Sequence, residues 1–300
     1  MRLNLNIHPE VQTALAENSA VVALESTLIT HGFPAPDNLK IAQAIEATVR
    51  QQGAVPATIA LLEGQIHVGL TLDQLEYLGT TSTVRKCSRR DLPIAVARRE
   101  NGSTTVAATM IIARSAGIKL FATGGIGGVH RGQPFDESAD LRELSQTAVT
   151  VVCAGAKAIL DLSLTLEVLE TRGVPVIGYQ TDELPAFYSR QSGLMLDMRV
   201  DTPQEMARLI KVHDEMEIES GLLVTVPVPA KDEWPAAEAQ LVIDRAIADA
   251  AVNGVVGKAV TPYLLERVSD LSGQQSKKAN IALLLNNAQV AAQIAQALVA

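Results

Sequence analysis

Aromatic residues make up only 3% of this 300-residue chain, with one tryptophan, four tyrosines and four phenylalanines. The core must therefore be aliphatic, and any ring placed in a loop stands out. Cysteine is as scarce. Cys87 and Cys153 lie among apolar or basic neighbours without metal-type spacing, and Met1-Arg2-Leu3-Asn4 opens no hydrophobic run. Both thiols are expected to be reduced, in a cytoplasmic protein. The chain also lacks the roughly eighteen uninterrupted apolar residues of a membrane span. Basic charge is in deficit, 25 Lys and Arg against 33 Asp and Glu, for a net charge of -8. Nucleic acid is not an expected partner, because phosphate-backbone binding rests on basic patches. A small phosphorylated ligand is still allowed, since a few amides and lysines can override a diffuse acidic field.

What the chain does contain is a succession of short Val/Ile/Ala/Leu runs alternating with helical patterns. Residues 20–24 read as a buried strand ending at Glu25. Residues 36–52 read as a helix with Leu39, Ile41, Ala42, Ile45 and Val49 on its apolar face. Residues 57–62 and 65–69 flank Glu63-Gly64 as a hairpin. Residues 105–116 form a helix, and 118–122, 149–153, 174–178 and 222–226 form strands. The leucines from 160 to 169 fit a helix better than a strand. Thr202-Pro203-Gln204-Glu205 combines an N-cap, a proline at N1 and a capping-box glutamate. Thr261-Pro262 opens another helix and Ala279 a last one. No repeat occurs, and the one linker-like stretch, 226–235, lies inside the alternation. The expectation is a single α/β/α layered domain with a mixed central sheet, spanning residues 1–300.

Lys157 is the most informative single residue. It follows the strand run Val149 to Cys153 and then Ala154-Gly155-Ala156, with no acidic neighbour before Asp161. A helix beginning near Gly155 would put the ammonium in its first turn, against the positive end of the macrodipole. Burial and that repulsion both favour a neutral amine, which is a nucleophile towards carbonyl carbon. Taken alone, the plainer reading is a lysine whose stem packs on the sheet while its head reaches water. Glu25, in A-L-E-S-T-L-I-T-H-G, stands where a buried strand meets a loop, the place where open α/β sheets gather ligands. A shielded carboxyl there can serve as a general acid or simply cap the loop.

Four glycines fall within five positions in F-A-T-G-G-I-G-G-V-H-R-G, after a strand. His130 occupies the third glycine position of a dinucleotide fingerprint, and no Walker lysine follows. The adjoining His130 and Arg131 favour a ligand loop over a plain turn. Gly102, Ser103, Thr104 and Thr105 sit at an expected helix start whose amides suit a phosphate or an ordinary cap. Asp136, Glu137 and Asp140 lack the spacing of a metal cage; one of them with water can hold Mg²⁺ or Mn²⁺, but on these residues alone a solvated acidic loop is the stronger reading. Lys86 belongs to a small basic patch with Arg85, Arg89 and Arg90. Tyr179, Phe187 and Tyr188 are candidates for stacking on a base, or for core packing.

Several blocks together resemble the pseudouridine-5′-phosphate glycosidase family. They are A-L-E-S-T, V-R-K-C-S-R-R-D-L-P, G-S-T-T-V-A-A-T-M, A-T-G-G-I-G-G-V-H-R-G, S-A-D-L, V-V-C-A-G-A-K, T-D-E-L-P-A-F-Y-S-R and A-N-I-A-L-L-L-N-N-A. They run in order from about Val21 to the last helix. The resemblance implies reversible breakage of the C–C glycosidic bond of pseudouridine 5′-phosphate to uracil and ribose 5-phosphate. It also implies an α/β/α fold, a homotrimer and one Mn²⁺ per subunit. By the same resemblance Lys157 is the nucleophile that forms an imine-type adduct with ring-opened ribose, and Glu25 is the proton donor. Asp136 is the metal ligand. Lys86, Val106, Ser138, Ala139 and Asp140 are substrate contacts, and His130 and Asn280 line the same pocket.

That chemistry agrees with the residues read on their own. A C-glycoside has no heteroatom leaving group, so the lysine imine supplies the electron sink, and a protonated Glu25 the proton, with Asp140 as a possible relay. Two departures from the family pattern are visible. The loop from His130 to Phe135 is about two residues shorter than usual, and Lys277 and Lys278 stand where an apolar residue is common. Both lysines are expected to point outward. The competing classes are a Schiff-base aldolase or lyase acting on another sugar phosphate and a non-catalytic sugar-phosphate-binding module.

Overall fold

The computed structural model describes residues 3–255, 257 and 260–300; Met1 and Arg2 of the opening lie outside them. Fourteen strands are present among these residues. In the first half they are β1 Leu5–Ile7, β2 Val21–Leu24, β3 Val55–Leu62, β4 Gln65–Val68, β5 Arg85–Cys87, β6 Gly102–Thr104 and β7 Leu120–Ala122. Then follow β8 Val129–His130, β9 Gln133–Glu137, β10 Thr150–Cys153, β11 Leu160–Asp161, β12 Val176–Tyr179, β13 Met198–Val200 and β14 Leu222–Thr225.

Eleven of them form one sheet in the order β1-β4-β3-β2-β7-β10-β14-β12-β13, with β6 joining β3 and β5 joining β6. From β3 to β13 the main path is parallel throughout. The β3–β4 hairpin and the β3–β6 pair are antiparallel, which makes the sheet mixed, as expected. Residues of β2, β7, β10 and β14 are buried along their whole length, and apart from Thr150 and Thr225 their runs are apolar because helices cover both faces.

The long helix Gln275–Val299 lies across β2, β7 and β10 and packs with helices Asp37–Gln51 and Pro203–Glu215. By length and composition alone it could cross a membrane, but it is the core helix of this fold, with Leu283, Ala288, Ala291, Ala292 and Ile294 all buried. Helices Val106–Ala116 and Ala139–Leu144 pack together on the other layer. The capping box at Thr202 forms as expected.

The chain leaves β2 towards β3 on one side, whereas it leaves β7 towards β10 on the other. The crevice between β2 and β7 is therefore the switch point of the sheet, where α/β folds bind ligands. Register puts the carboxyl ends side by side: Leu24 opposite Ala122, Ala122 opposite Val152, and Cys153 opposite Thr225.

Three local expectations fail. No helix starts near Gly155: Lys157 lies in an irregular turn, the strand β11 follows it, and the helix begins at Leu162. Residues 102–104 are not a helix start but the strand β6, because they pair with both β3 and β5. The acidic stretch from Phe135 is not a loop: Asp136 and Glu137 end β9, in a three-stranded sheet of order β11-β8-β9, and Asp140 lies in helix Ala139–Leu144.

Candidate active site

Glu25 is the first residue beyond β2, and Thr123 the first beyond β7. The Thr123 hydroxyl donates a short hydrogen bond to Glu25 Oε1. Burial pushes the Glu25 carboxyl up; the Lys157 charge and the Thr123 hydrogen bond pull against that. Next to it, Ser26 accepts from Thr104 N–H at 2.9 Å and donates to Ile59 O at 2.6 Å. Thr27 donates to Thr104 O at 2.8 Å. These bonds lock the end of β2 onto β3 and β6.

Lys157 enters from the adjacent edge. Its backbone N–H reaches Ile126 O at 3.1 Å, while Ile126 N–H reaches Gly155 O at 3.1 Å, so β7 and β10 stay joined past their regular ends. Its Nζ donates to Gly125 O at 2.5 Å. Without a helix at this point, no macrodipole faces the amine. What surrounds it is a ring of charge: Glu25 and Lys86 both feel Lys157, and Lys86 also feels Asp140 and Glu25. Burial first, and then repulsion from Lys157, push the Lys86 ammonium down; Asp140 and Glu25 pull it back up.

Asp140 is 6% exposed and acts as a clamp. One oxygen accepts from Ala107 N–H at 3.0 Å and the other from Gly127 N–H at 2.8 Å. It thereby joins the first turn of helix Val106–Ala116 to the glycine-rich run. Ser138 caps the short helix that carries Asp140, and Ala139 is its exposed first residue. A Cβ on Gly127 would fall 2.1 Å from Ser138 Oγ and 2.9 Å from Asp140 Oδ2. One on Gly125 would lie 2.6 Å from the Phe187 ring. The glycines are thus needed for close packing against Ser138, Asp140 and the Phe187 ring.

The amides expected to bind phosphate are mostly occupied. Thr104 N–H goes to Ser26, Thr105 N–H to Cys87 O and Ala107 N–H to Asp140. Among the described residues Val106 N–H has no acceptor, which leaves it, beside Lys86, as the open donor at this helix start. Lys86 is opposite Ser103 in register.

His130 and Asp136 lie together on the β8–β9 hairpin, with Nδ1 to Oδ2 3.7 Å and the Asp136 side chain 52% exposed. No third His, Cys, Asp or Glu joins them among the described residues. Asn280 is half-buried in the second turn of the long helix and makes no hydrogen bond through its side chain among the described residues. Lys277 and Lys278 form ion pairs with Asp37 and Asp232.

Other residues of this region escape a reading by motif. Asn287 is fully buried and donates to Thr123 O at 2.9 Å and Gly124 O at 3.3 Å. It holds the turn that supports both Glu25 and Lys157. Its mark in the sequence is a polar Asn-Asn pair inside an apolar helix. His31 stands at the rim, with Nδ1 2.5 Å from Thr30 Oγ1 and 3.3 Å from Ser103 Oγ. Burial, then the Lys86 charge, push its imidazole down. Tyr179, Phe187 and Tyr188 are all buried; Phe187 and Tyr188 pack edge to face at 4.8 Å, and Tyr188 packs against Trp234. They are core residues, with Phe187 bearing on Gly125 from below.

The chain matches the family model described as indigoidine synthase A like protein over residues 10–297. A pseudouridine-5′-phosphate glycosidase of Methylobacterium nodulans is 56% identical over 296 residues, 98% of this chain and 88% of that protein. One of Solibacter usitatus is 56% identical over 295 residues, 98% of this chain and 99% of that protein. Among solved structures, the prealnumycin C-glycosynthase AlnA in complex with ribulose 5-phosphate superposes with a TM-score of 0.92 at 42% identity, covering 100% of this chain and 98% of that one. An indigoidine synthase A-like protein from Thermotoga maritima gives 0.91 at 34% identity, covering 99% and 97%.

Proposed function

The chain belongs to the pseudouridine-5′-phosphate glycosidase family within the indigoidine synthase A-like proteins, and we propose that it splits pseudouridine 5′-phosphate reversibly into uracil and ribose 5-phosphate. The observation that carries this reading is the convergence of Glu25, Lys86, Asp140 and Lys157 at the sheet's switch point, in a protein at least half identical to named glycosidases. The related glycosynthase bound to ribulose 5-phosphate supports the sugar-phosphate half of the assignment.

Each group has a task in this reaction. Lys157 Nζ forms a bond to C1′ as the C1′–O4′ bond opens, and the proton that Nζ sheds passes to O4′. The C1′–C5 bond then breaks: its electrons go to C5, which takes a proton from Glu25, while the Nζ lone pair closes a C=N bond. Water hydrolyses that imine to free ribose 5-phosphate and the amine. A carboxyl kept protonated by burial suits the proton transfer. Lys86 and Val106 N–H hold the phosphate, and Asp140 keeps the helix start and the glycine run in place around the sugar, with Ser138, Ala139 and His130 beside it. Asn280 borders the pocket from the long helix.

A hard divalent cation that keeps most of its water needs few protein ligands, and the half-exposed Asp136 carboxylate fits that requirement. Mn²⁺ is the proposed ion; bound there, it would supply positive charge near an anionic substrate. Wholly exposed Phe135, on the same hairpin, and exposed Leu241 and Val252 provide apolar surface for the proposed homotrimer. Unpaired cysteines favour a cytoplasmic location.

The test is borohydride reduction in the presence of ribose 5-phosphate, with the adduct mapped by mass spectrometry, alongside formation of pseudouridine 5′-phosphate from added uracil. The expected adduct is on Lys157, and Lys157→Ala should lose both signals. An adduct without any uracil coupling would make the protein a different sugar-phosphate lyase.

A further inference from the structure

Arg131 directly follows the pocket histidine, and its position in the sequence suggested a ligand contact. The structure turns its guanidinium back onto the protein. Nε donates to Leu160 O at 3.1 Å, and Nη2 donates to Ala158 O at 2.9 Å. Asp244 at 3.2 Å and Gln240 at 3.4 Å hold the group from outside.

The two carbonyls belong to the turn just after Lys157. That turn has one internal bond, from Leu160 N–H to Lys157 O at 2.9 Å. Backbone before Lys157 is held by the extended β7–β10 pairing, but backbone after it depends on Arg131 and on the short β8–β11 pair, in which Leu160 lies opposite His130. Ala158 and Leu160 are buried, at 6% and 2% exposure, so their carbonyls need donors from within the protein. A planar guanidinium can satisfy both at once, whereas an ammonium is a single point of charge.

We propose that Arg131 is the positioning residue for the Lys157 amine, fixing the 157–160 turn so that Nζ meets C1′ at bonding distance. The inference rests on the assignment of Lys157 as nucleophile. Losing the fork lets the two peptide groups rotate, and displacing a reacting atom by about 1 Å costs about 100-fold in rate. Because the guanidinium is engaged on the protein by Leu160 O, Ala158 O, Asp244 and Gln240, affinity for the sugar phosphate should hardly change.

The experiment measures single-turnover borohydride trapping of ribose 5-phosphate in the parent, Arg131→Lys and Arg131→Ala proteins. Calorimetric affinity for ribose 5-phosphate and the thermal midpoint are measured on the same samples. The parent should be labelled at Lys157. Trapping should slow by about 100-fold in the alanine variant and by about tenfold in the lysine variant, with affinity within about twofold, and methylguanidine should restore part of the alanine variant's rate. Where alanine prevents folding, the lysine variant carries the same comparison. Trapping at the parental rate, or affinity falling in step with rate, overturns the positioning role. A parent labelled elsewhere than Lys157 overturns instead the nucleophile assignment beneath it.

Discussion

Replacing Asp140 with asparagine should lower the stability of the protein and weaken its hold on the substrate phosphate, by amounts set by two hydrogen bonds. The buried carboxylate takes the Ala107 N–H at 3.0 Å on one oxygen and the Gly127 N–H at 2.8 Å on the other. Asparagine keeps the shape but has one carbonyl, so its amide nitrogen must face one of those donors. A hydrogen bond to a charged acceptor is worth about 1.5–3 kcal/mol, and a buried donor left unpaired costs about 1–3 kcal/mol. The two figures describe overlapping losses, so the net cost is about 3 kcal/mol. At about 2 °C per kcal/mol for a large chain, the thermal midpoint should fall by about 6 °C. Asp140 also draws the Lys86 amine towards its charged form, so its loss should raise KM for phosphorylated substrate. Circular-dichroism melts and initial rates on one preparation check both. A midpoint within about 1 °C of the parent would refute the clamp, since that is well below the loss of even one such bond. A fallen midpoint with KM unchanged would leave Asp140 as a fastener with no effect on Lys86.

Glu25→Gln should slow uracil formation by about 10²–10⁴-fold, the usual worth of a general acid. Because burial raises this carboxyl above its ordinary 4.5, the stability it contributes is complete below that pH and is lost as pH rises through the raised value. The glutamine variant lacks this slope, so melts across pH should find its advantage over the parent growing from acid to neutral pH; a constant difference would contradict it. Burial pushes both Cys87 and Cys153 thiols up to about 12, so neither should react with a disulfide reagent at pH 8 until the protein is unfolded. Gly127→Ala forces a methyl into Ser138 and should cost about 1–3 kcal/mol, visible in the melt, with activity reduced through displaced Asp140.

The parallel strands β2, β7, β10 and β14 were legible because a strand covered on both faces is apolar nearly throughout. The capping box at Thr202 and the Glu63-Gly64 hairpin were legible because their signals are local. Gly102–Thr104 was not, since three polar or small residues become a strand only through partners distant in sequence. Lys157 looked like the start of a helix because Ala154-Gly155-Ala156 suits one; Gly155, at φ 85°, instead turns the chain against Pro185 O. In the site, Glu25, Lys86, Asp140 and Lys157 stood out by motif. Thr123, Asn287 and the true use of Arg131 did not, because each acts by holding a loop that comes near it only after folding.

Asn287 has a consequence for how the protein comes to life on the ribosome. The turn at Thr123 and Gly124 is latched by a side chain translated long after Lys157, on a helix that also closes the underside of β2, β7 and β10. A nascent chain can lay down its strands early, yet the crevice between β2 and β7 gains this latch only once that helix has emerged and docked.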